Sequence, residues 1–457
     1  MSREKHFHPL AALHLLRKTL LVYLLPLVQV LFDRNWDALR AALRQELVLL
    51  FFISAVCWAV YYGGRWQVDA EGTVHVSWRL GVRLDRALRA EGLAALILEQ
   101  PLLYRLTGAC RVVLYPVGQT KTITLYLTRQ QAEELADVLL PVTDPLWHAP
   151  KGGEKLAFTV LGANGLSTLI LWWLAIHQTQ SYAPDAQTAA LAQLGQLAAF
   201  AARWLPLGTA WLLVLAGTLF CISLVRSALQ AVHYTVWRTD TQLGSRGGWL
   251  SRFEFRVRSR EISYADVRVS PIARLMKRWP VFVVAGSCRP ELPLFVYRSG
   301  QEELFRELLP EFRMPPDTRH DLTHRSAVFF APAGIPFGLC LLLVLASRSV
   351  LPALTGTLLI PTAVFAVFLA GGLMGWLNEG IWLREGRFTL RRQKGVYLHC
   401  ICVFHPDVCL RTFQSPWAAR YQRMTLTLAL PGQVRLKVRS IPVRDAAPCL
   451  NALEQET

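Results

Sequence analysis

The chain lacks the common catalytic signatures. No G-x-x-x-x-G-K-[ST], G-x-S-x-G or H-E-x-x-H pattern occurs in its 457 residues, so there is no motif for a phosphate-cradling loop, a hydrolase nucleophile elbow or a zinc-protease helix. The nearest approach, "KGGEK" at Lys151, has the glycines without the spacing. Acidic residues are also scarce, 32 Asp and Glu against 49 Lys and Arg, a formal net charge of +17. No nucleic-acid-binding motif accompanies that excess, so nucleic acid is not expected as a partner. Between Gln178 and Ala202 there is no Lys or Arg at all. No small-residue cleavage site follows the first apolar run, which argues against a cleaved signal peptide. The expectation from these absences is a non-enzymatic protein with no cofactor.

What remains is strongly apolar. Hydrophobic residues make up 53% of the chain and mean hydropathy is +0.30, concentrated in runs rather than spread at helical or strand period. Leu156 to His177, Trp204 to Val225, Ser326 to Ala346 and Pro352 to Leu377 each come close to the roughly 20 residues a bilayer-spanning helix needs. Thr19 to Phe32 and Leu47 to Tyr62 are shorter, although a helix beginning before Arg17 and Lys18 can snorkel those charges to the headgroups. Six transmembrane helices in three hairpins are therefore predicted. Because basic residues gather in the N-terminal tail and in three polar blocks, both termini and all three blocks are expected on the cytoplasmic side. The nine cysteines would then be reduced thiols, with Cys57, Cys221 and Cys340 packing inside spans.

The polar blocks repeat. "LYLTRQQAEELADVLLP" from Leu125 and "LFVYRSGQEELFRELLP" from Leu294 agree at 8 of 17 positions without a gap. Glu133, Glu134, Leu135, Leu139 and Leu140 suit one short amphipathic helix, and Glu302 to Leu309 its counterpart. Before it each block reads as strands: "TVHVSW", "RVVLY" and "TITLYL"; then "RFEFRVRS" and "VFVVAG"; then "RFTLRR", "MTLTLAL" and "VRLKVRS", all alternating or β-branched. A proline before a basic linker and a strand is a further shared mark, at Gln100, Ser270 and Ser415. The predicted organisation is a tail and hairpin over 1–63, a domain over 64–141, a tether and hairpin over 142–232, a domain over 233–310, a tether and hairpin over 311–380, and a domain over 381–457.

The layout, together with "HFHPLAALHLL", "WQVDAEGTVHV", "EQPLLYRLTGACRVVLY" and "LYLTRQQAEELADVLLP", resembles the bacterial pleckstrin-homology-like, membrane-flanked domain family of the YdbT type. The resemblance covers essentially the whole chain and is strongest in the first block. It implies an α+β membrane protein of the bacterial inner or plasma membrane, in which each block is a pleckstrin-homology-like domain of two packed antiparallel sheets closed by a helix. The third block departs from the pattern, since "IPVRDAAPCLNALEQET" has no clear acidic-leucine helix. No catalytic residues come with the resemblance.

Three groups of residues were weighed as sites. In "HCICVFHPDVC" the side chains of His399, Cys400, Cys402, His405 and Cys409 are metal-ligand types, but in a strand Cys400 and Cys402 face away from His399. Buried strand cysteines are the plainer reading, and no metal site is expected. Asn164, His177, Asn378 and Glu379 are polar groups in or beside the apolar runs. The basic strands say more: Arg256, Arg258 and Arg260, and Arg435, Lys437 and Arg439, alternate with apolar residues, which places a row of cations on one sheet face. Such a row would bind anionic lipid at about 1 kcal/mol per nearby basic residue, or is simply a solvated face. The reading is a scaffold or interaction platform at the membrane, linked to envelope stress or resistance to membrane-active agents by analogy alone. The alternative is a lipid or small-molecule transporter. Expected partners are anionic membrane lipids and a protein, either a second copy or a smaller related membrane protein.

Overall fold

A computed structural model describes residues 4–9, 51–162, 184–203, 207–312, 331–378 and 380–446, apart from isolated positions and short stretches within those ranges, the longest being 404–408. The chain divides into two compact units, residues 1–116 with 122–256, and residues 117–121 with 257–457. Among the described residues twenty strands form four antiparallel sheets. In chain order the strands are β1 (Lys5–His6), β2 (Gly64–Val68), β3 (Val74–Leu80), β4 (Val82–Leu88), β5 (Leu93–Gln100), β6 (Ala109–Pro116), β7 (Ile123–Thr128), β8 (Leu146–His148), β9 (Thr235–Arg238) and β10 (Gln242–Gly247). They continue as β11 (Arg252–Arg258), β12 (Tyr264–Val269), β13 (Arg278–Val284), β14 (Phe295–Arg298), β15 (Gly380–Arg384), β16 (Arg387–Lys394), β17 (Tyr397–Val403), β18 (Cys409–Phe413), β19 (Arg423–Leu430) and β20 (Val434–Pro442).

Each polar block supplies two three-stranded meanders. Those of the first block are β2-β3-β4 and β5-β6-β7, those of the second β9-β10-β11 and β12-β13-β14, and those of the third β15-β16-β17 and β18-β19-β20. The sheets do not coincide with the blocks. Their orders are β1-β2-β3-β4, β7-β6-β5-β11-β10-β9-β8, β14-β13-β12-β17-β16-β15 and β18-β19-β20. The second meander of one block is therefore continuous with the first meander of the next, and both joins pair the inner strands β5 with β11 and β12 with β17. The latter is antiparallel, with Ala265 opposite Cys402 and Val267 opposite Cys400.

Local sequence explains the helices that punctuate this pattern. Helix α1 is Leu102–Leu106 and α2 is Arg129–Leu139. The α2 start carries a capping box, in which the Thr128 hydroxyl accepts from the Gln131 amide and the Gln131 side chain accepts from the Thr128 amide. Later come α3 (Gly152–Gly162), α4 (Pro184–Ala201), α5 (Leu207–Ala231), α6 (Pro271–Met276), α7 (Glu303–Leu308), α8 (Ala331–Val350), α9 (Pro352–Asn378) and α10 (Pro416–Arg420). The shared proline is the first helical residue of α6 and α10, behind the caps Ser270 and Ser415, where its missing N–H costs nothing. What reads in sequence as a basic linker is a turn or two of helix.

Within the first unit, Trp66, Val74 and Val76 from one sheet meet Leu96, Val112, Leu114 and Leu125 from the next, beneath Leu135, Ala136 and Leu139 of α2, all buried in one apolar cluster. Residues of two sheets thus pack together beneath α2. Leu135 is 2% exposed. In the second unit Ile381, Leu390, Ile401 and Val403 pack with Leu426, Leu428, Leu436 and Val438. The helix α7 buries Phe305 and Leu308, while Leu304 is half-buried.

Three expectations are corrected. Among the described residues no helix is long and apolar enough to cross a membrane, which overturns the six transmembrane helices and the multi-pass inner- or plasma-membrane location built on them. Helices α5, α8 and α9 fall on three of the apolar runs, but none has the length and apolarity a bilayer crossing needs. The run from Thr19 and most of that from Leu156 lie outside the described residues. Helix α8 runs through Pro336 and Arg348, and α9 through Pro361. Next, the Lys- and Arg-free segment between Gln178 and Ala202, expected as the connection within the second hairpin, contains an 18-residue helix, α4. Last, the three self-contained pleckstrin-homology-like domains give way to sheets shared between successive blocks, because strands pair by their edges and the alternation within a strand does not say which edge it meets.

Candidate ligand cleft

In the first unit an open cleft of about 740 Å³ is lined by residues of both sheet halves, among them Arg105, Arg129, Arg246 and Arg252, with His233, Glu133 and Glu254. One wall is the tight connection from β10 to β11, "GGWL". Gly248 adopts φ 95°, and a Cβ there would run into the Ser251 carbonyl, so this position requires glycine. The turn is tied down at several points. Gly248 N donates to Val232 O at 2.9 Å, Trp249 N to Leu229 O at 2.9 Å, and an Arg105 guanidinium N–H to Trp249 O. So anchored, it holds the indole of Trp249 57% exposed beside the cleft, with Leu250 also exposed.

The charges in the cleft are not all neutralised. Arg129 Nε lies 2.7 Å from Glu133 Oε1, and Glu254 Oε1 accepts from Arg256 Nε at 2.6 Å. Both carboxylates are thus engaged. Arg246 stacks its guanidinium over Trp147, 4.5 Å from the ring centre, and its Nε reaches Thr235 Oγ1 at 3.4 Å. Among the described residues Arg105, Arg246 and Arg252 have no carboxylate partner. Cys110 also lines the cleft. Burial, followed by the nearby charges of Glu133 and Glu254, pushes its thiol up to about 12, so at neutral pH it is held as the poorly nucleophilic S–H.

The residues singled out from sequence are dispersed. Arg256 is a structural cation: its side chain is 7% exposed, with Nη1 2.8 Å from Asp137 Oδ1 and 2.8 Å from Leu140 O. It therefore braces the carboxyl end of α2. Arg258 is half-buried at the end of β11 and Arg260 is exposed in the short turn after it. On β20 the expected alternation holds for Arg435 and Lys437, which are exposed between buried Val434, Leu436 and Val438. Arg439 belongs to the same strand. Thr427 lies opposite Lys437 and also opposite Arg411 of β18, so Arg411 joins that face. Cys400 and Cys402 are buried, with the Cys400 thiol raised to about 11, chiefly by burial, while His399 Nδ1 sits 2.9 Å from Asp266 Oδ2. Among the described residues no three His, Cys, Asp or Glu converge as a metal site would require. Asn378 Nδ2 donates back to Met374 O in its own helix at 2.8 Å; Asn164, His177, Glu379 and His405 lie outside the described residues.

The cleft itself was not foreseen. Its sequence signal was "GGWL", two glycines and an unpatterned tryptophan at the turn between strands, and its other wall comes from a block more than 100 positions earlier. Comparison with family models, with curated proteins and with solved structures finds no match for the chain.

Proposed function

We propose that the chain is a non-enzymatic interaction platform whose arginine-lined cleft receives a phosphate-bearing anionic ligand of the lipid-headgroup class. The observation that carries this reading is the trio Arg105, Arg246 and Arg252 around a cleft whose two glutamates already have arginine partners. Guanidinium forks match phosphate oxygens in two-point geometry. The exposed Trp249 beside them supplies an amphipathic ring of the kind that settles at a headgroup interface. The one thiol in the cleft is held protonated, which favours binding over covalent chemistry.

The test uses the full chain with two probes, inorganic pyrophosphate and vesicles of phosphatidylcholine with or without phosphatidylglycerol. At about 1 kcal/mol per basic residue near an anionic surface, the variant carrying Arg105→Gln, Arg246→Gln and Arg252→Gln should bind phosphatidylglycerol vesicles roughly a hundredfold more weakly. Added salt should weaken wild-type binding. A variant with Arg435→Gln and Lys437→Gln provides the comparison, since that row is the site suggested by sequence. Equal binding by the triple variant and wild type would refute the cleft reading, and loss confined to the double variant would move the site to β20.

A further inference from the structure

The cleft of the first unit has an apolar rim. On α1, Leu102 and Leu106 are exposed, Leu106 by 75%, and their spacing of four places them on one helix face. Arg105 stands between them and donates to the Trp249 carbonyl, so α1 and the β10–β11 turn are joined where Trp249 and Leu250 also face outward. Four large apolar side chains therefore stand on the two connections that bring Arg105 and Arg252 into the cleft. The turn is fixed by left-handed Gly248 and by the amides of Gly248 and Trp249, so the outward aim of Trp249 is built in. The second block repeats the combination within its own unit. Helix α6 exposes Ile272 and Leu275, the latter by 85%, three residues apart on one face, with Arg274 and Lys277 exposed next to them in sequence. Both helices are followed by a left-handed residue, Gly108 at φ 72° and Lys277 at φ 51°, so the two connections match in backbone as well as in place.

We infer that the rim of Leu102, Leu106, Trp249 and Leu250 inserts into the headgroup region of an anionic bilayer, so that the cleft takes its phosphate from a lipid in the membrane and not from free solution. The inference rests on the cleft reading proposed above. Charge and apolarity together select the occupant. A protein would have to bring carboxylates or phosphates of its own to three guanidiniums that lack a carboxylate partner among the described residues. An anionic bilayer carries phosphates on its surface and acyl chains just beneath them. Tryptophan and leucine with arginine beside them is the composition that settles at that boundary. The contact calls for no spanning helix, because side chains on a short helix and a turn reach only the junction of headgroup and acyl chain.

The experiment compares the full wild-type chain with a rim variant, Leu102→Ser with Leu106→Ser and Leu250→Ser, at positions outside the cleft lining, and with the cleft variant Arg105→Gln, Arg246→Gln and Arg252→Gln. Each is measured against inorganic pyrophosphate and against phosphatidylcholine vesicles containing phosphatidylglycerol, with circular dichroism to check folding. The rim variant should keep its pyrophosphate binding and bind vesicles roughly a hundredfold more weakly, since three apolar side chains no longer leave water. The cleft variant should lose both. Salt screens the arginines and not apolar burial, so the advantage of wild type over the rim variant should persist as salt rises. Vesicles with brominated acyl chains should quench wild-type tryptophan emission more than that of Trp249→Phe. Vesicle binding by the rim variant equal to wild type would overturn the inference and leave the cleft reading standing. Loss of pyrophosphate binding in the rim variant would also overturn it, because the leucines would then be shaping the cleft. A wild type that binds pyrophosphate but no vesicles would overturn it and give the rim to a protein partner, whereas a cleft variant equal to wild type with both probes would sink the cleft reading and the inference together.

Discussion

Replacing Arg256 by glutamine tests whether this residue is a brace rather than a ligand contact. The guanidinium joins β11 to the end of α2 through Asp137 Oδ1 and Leu140 O, both at 2.8 Å, and holds Glu254 at 2.6 Å. It also sets a cation at the negative end of the helix. Breaking a buried ion pair by removing one partner costs about 3–5 kcal/mol. Asp137 is 65% exposed and its share must be discounted for solvent screening, whereas the Leu140 carbonyl would lose a donor in a buried setting. The loss should be about 3 kcal/mol, a large part of a typical domain's stability. Hydrogen exchange is a suitable assay, because it reports the first unit separately. Protection of the amides of β5 and β10 should fall roughly a hundredfold. Arg260→Gln, at an exposed position two residues beyond the strand, should stay within about 0.5 kcal/mol. Equal effects from the two substitutions, or no loss from Arg256→Gln, would refute the argument.

Leu135→Ala should cost about 2–5 kcal/mol, as a fully packed leucine does, while Leu304→Ala, from a half-buried position, should cost clearly less; the same exchange measurement on α2 and α7 compares them. Cys110 and Cys400, buried and with thiols raised to about 12 and about 11, should resist a maleimide at pH 8 under conditions where exposed Cys409 reacts. A raised thiol stays neutral in the fold while the unfolded chain ionises near 9, so its contribution to stability is complete below that pH and is lost as pH climbs toward 12. Unfolding curves collected from pH 8 to 11 should show this decline, and Cys110→Ala should flatten it.

Much of the secondary structure was legible because it depends on neighbours in sequence. Alternation in "MTLTLAL" and "VRLKVRS" marks β19 and β20, and the 17-residue match marks α2 and α7. The strand β5, "LAALILEQ", was missed because leucine, alanine and glutamate favour helices when isolated. It is a strand because both its edges and both its faces are covered, a property of the whole sheet. Arg256 illustrates the same limit at a site. Its alternation with Phe255 and Val257 implied an exposed row, yet β11 is an interior strand, so the face that periodicity assigned to solvent meets α2 instead.

The offset between repeat and sheet has an energetic consequence. The 17-residue match falls at equivalent places in the blocks 64–141 and 233–310, but each internal join closes a sheet across two blocks. Cutting the second block out of the chain would strip β11 of β5 and β12 of β17 and expose two interior edges. Such a fragment would lose ladder hydrogen bonds on both sides and gain two aggregation-prone strands. Stability in an array of this kind sits at the junctions as much as within the repeats. Of the exposed residues singled out as cationic, Arg435 and Lys437 lie on the terminal sheet, which shares no strand with a neighbouring block, whereas Arg256 is locked into a junction. Arg256, on an interior strand, is drawn into bracing the neighbouring helix, whereas on the outer sheet alternation leaves Arg435 and Lys437 facing water.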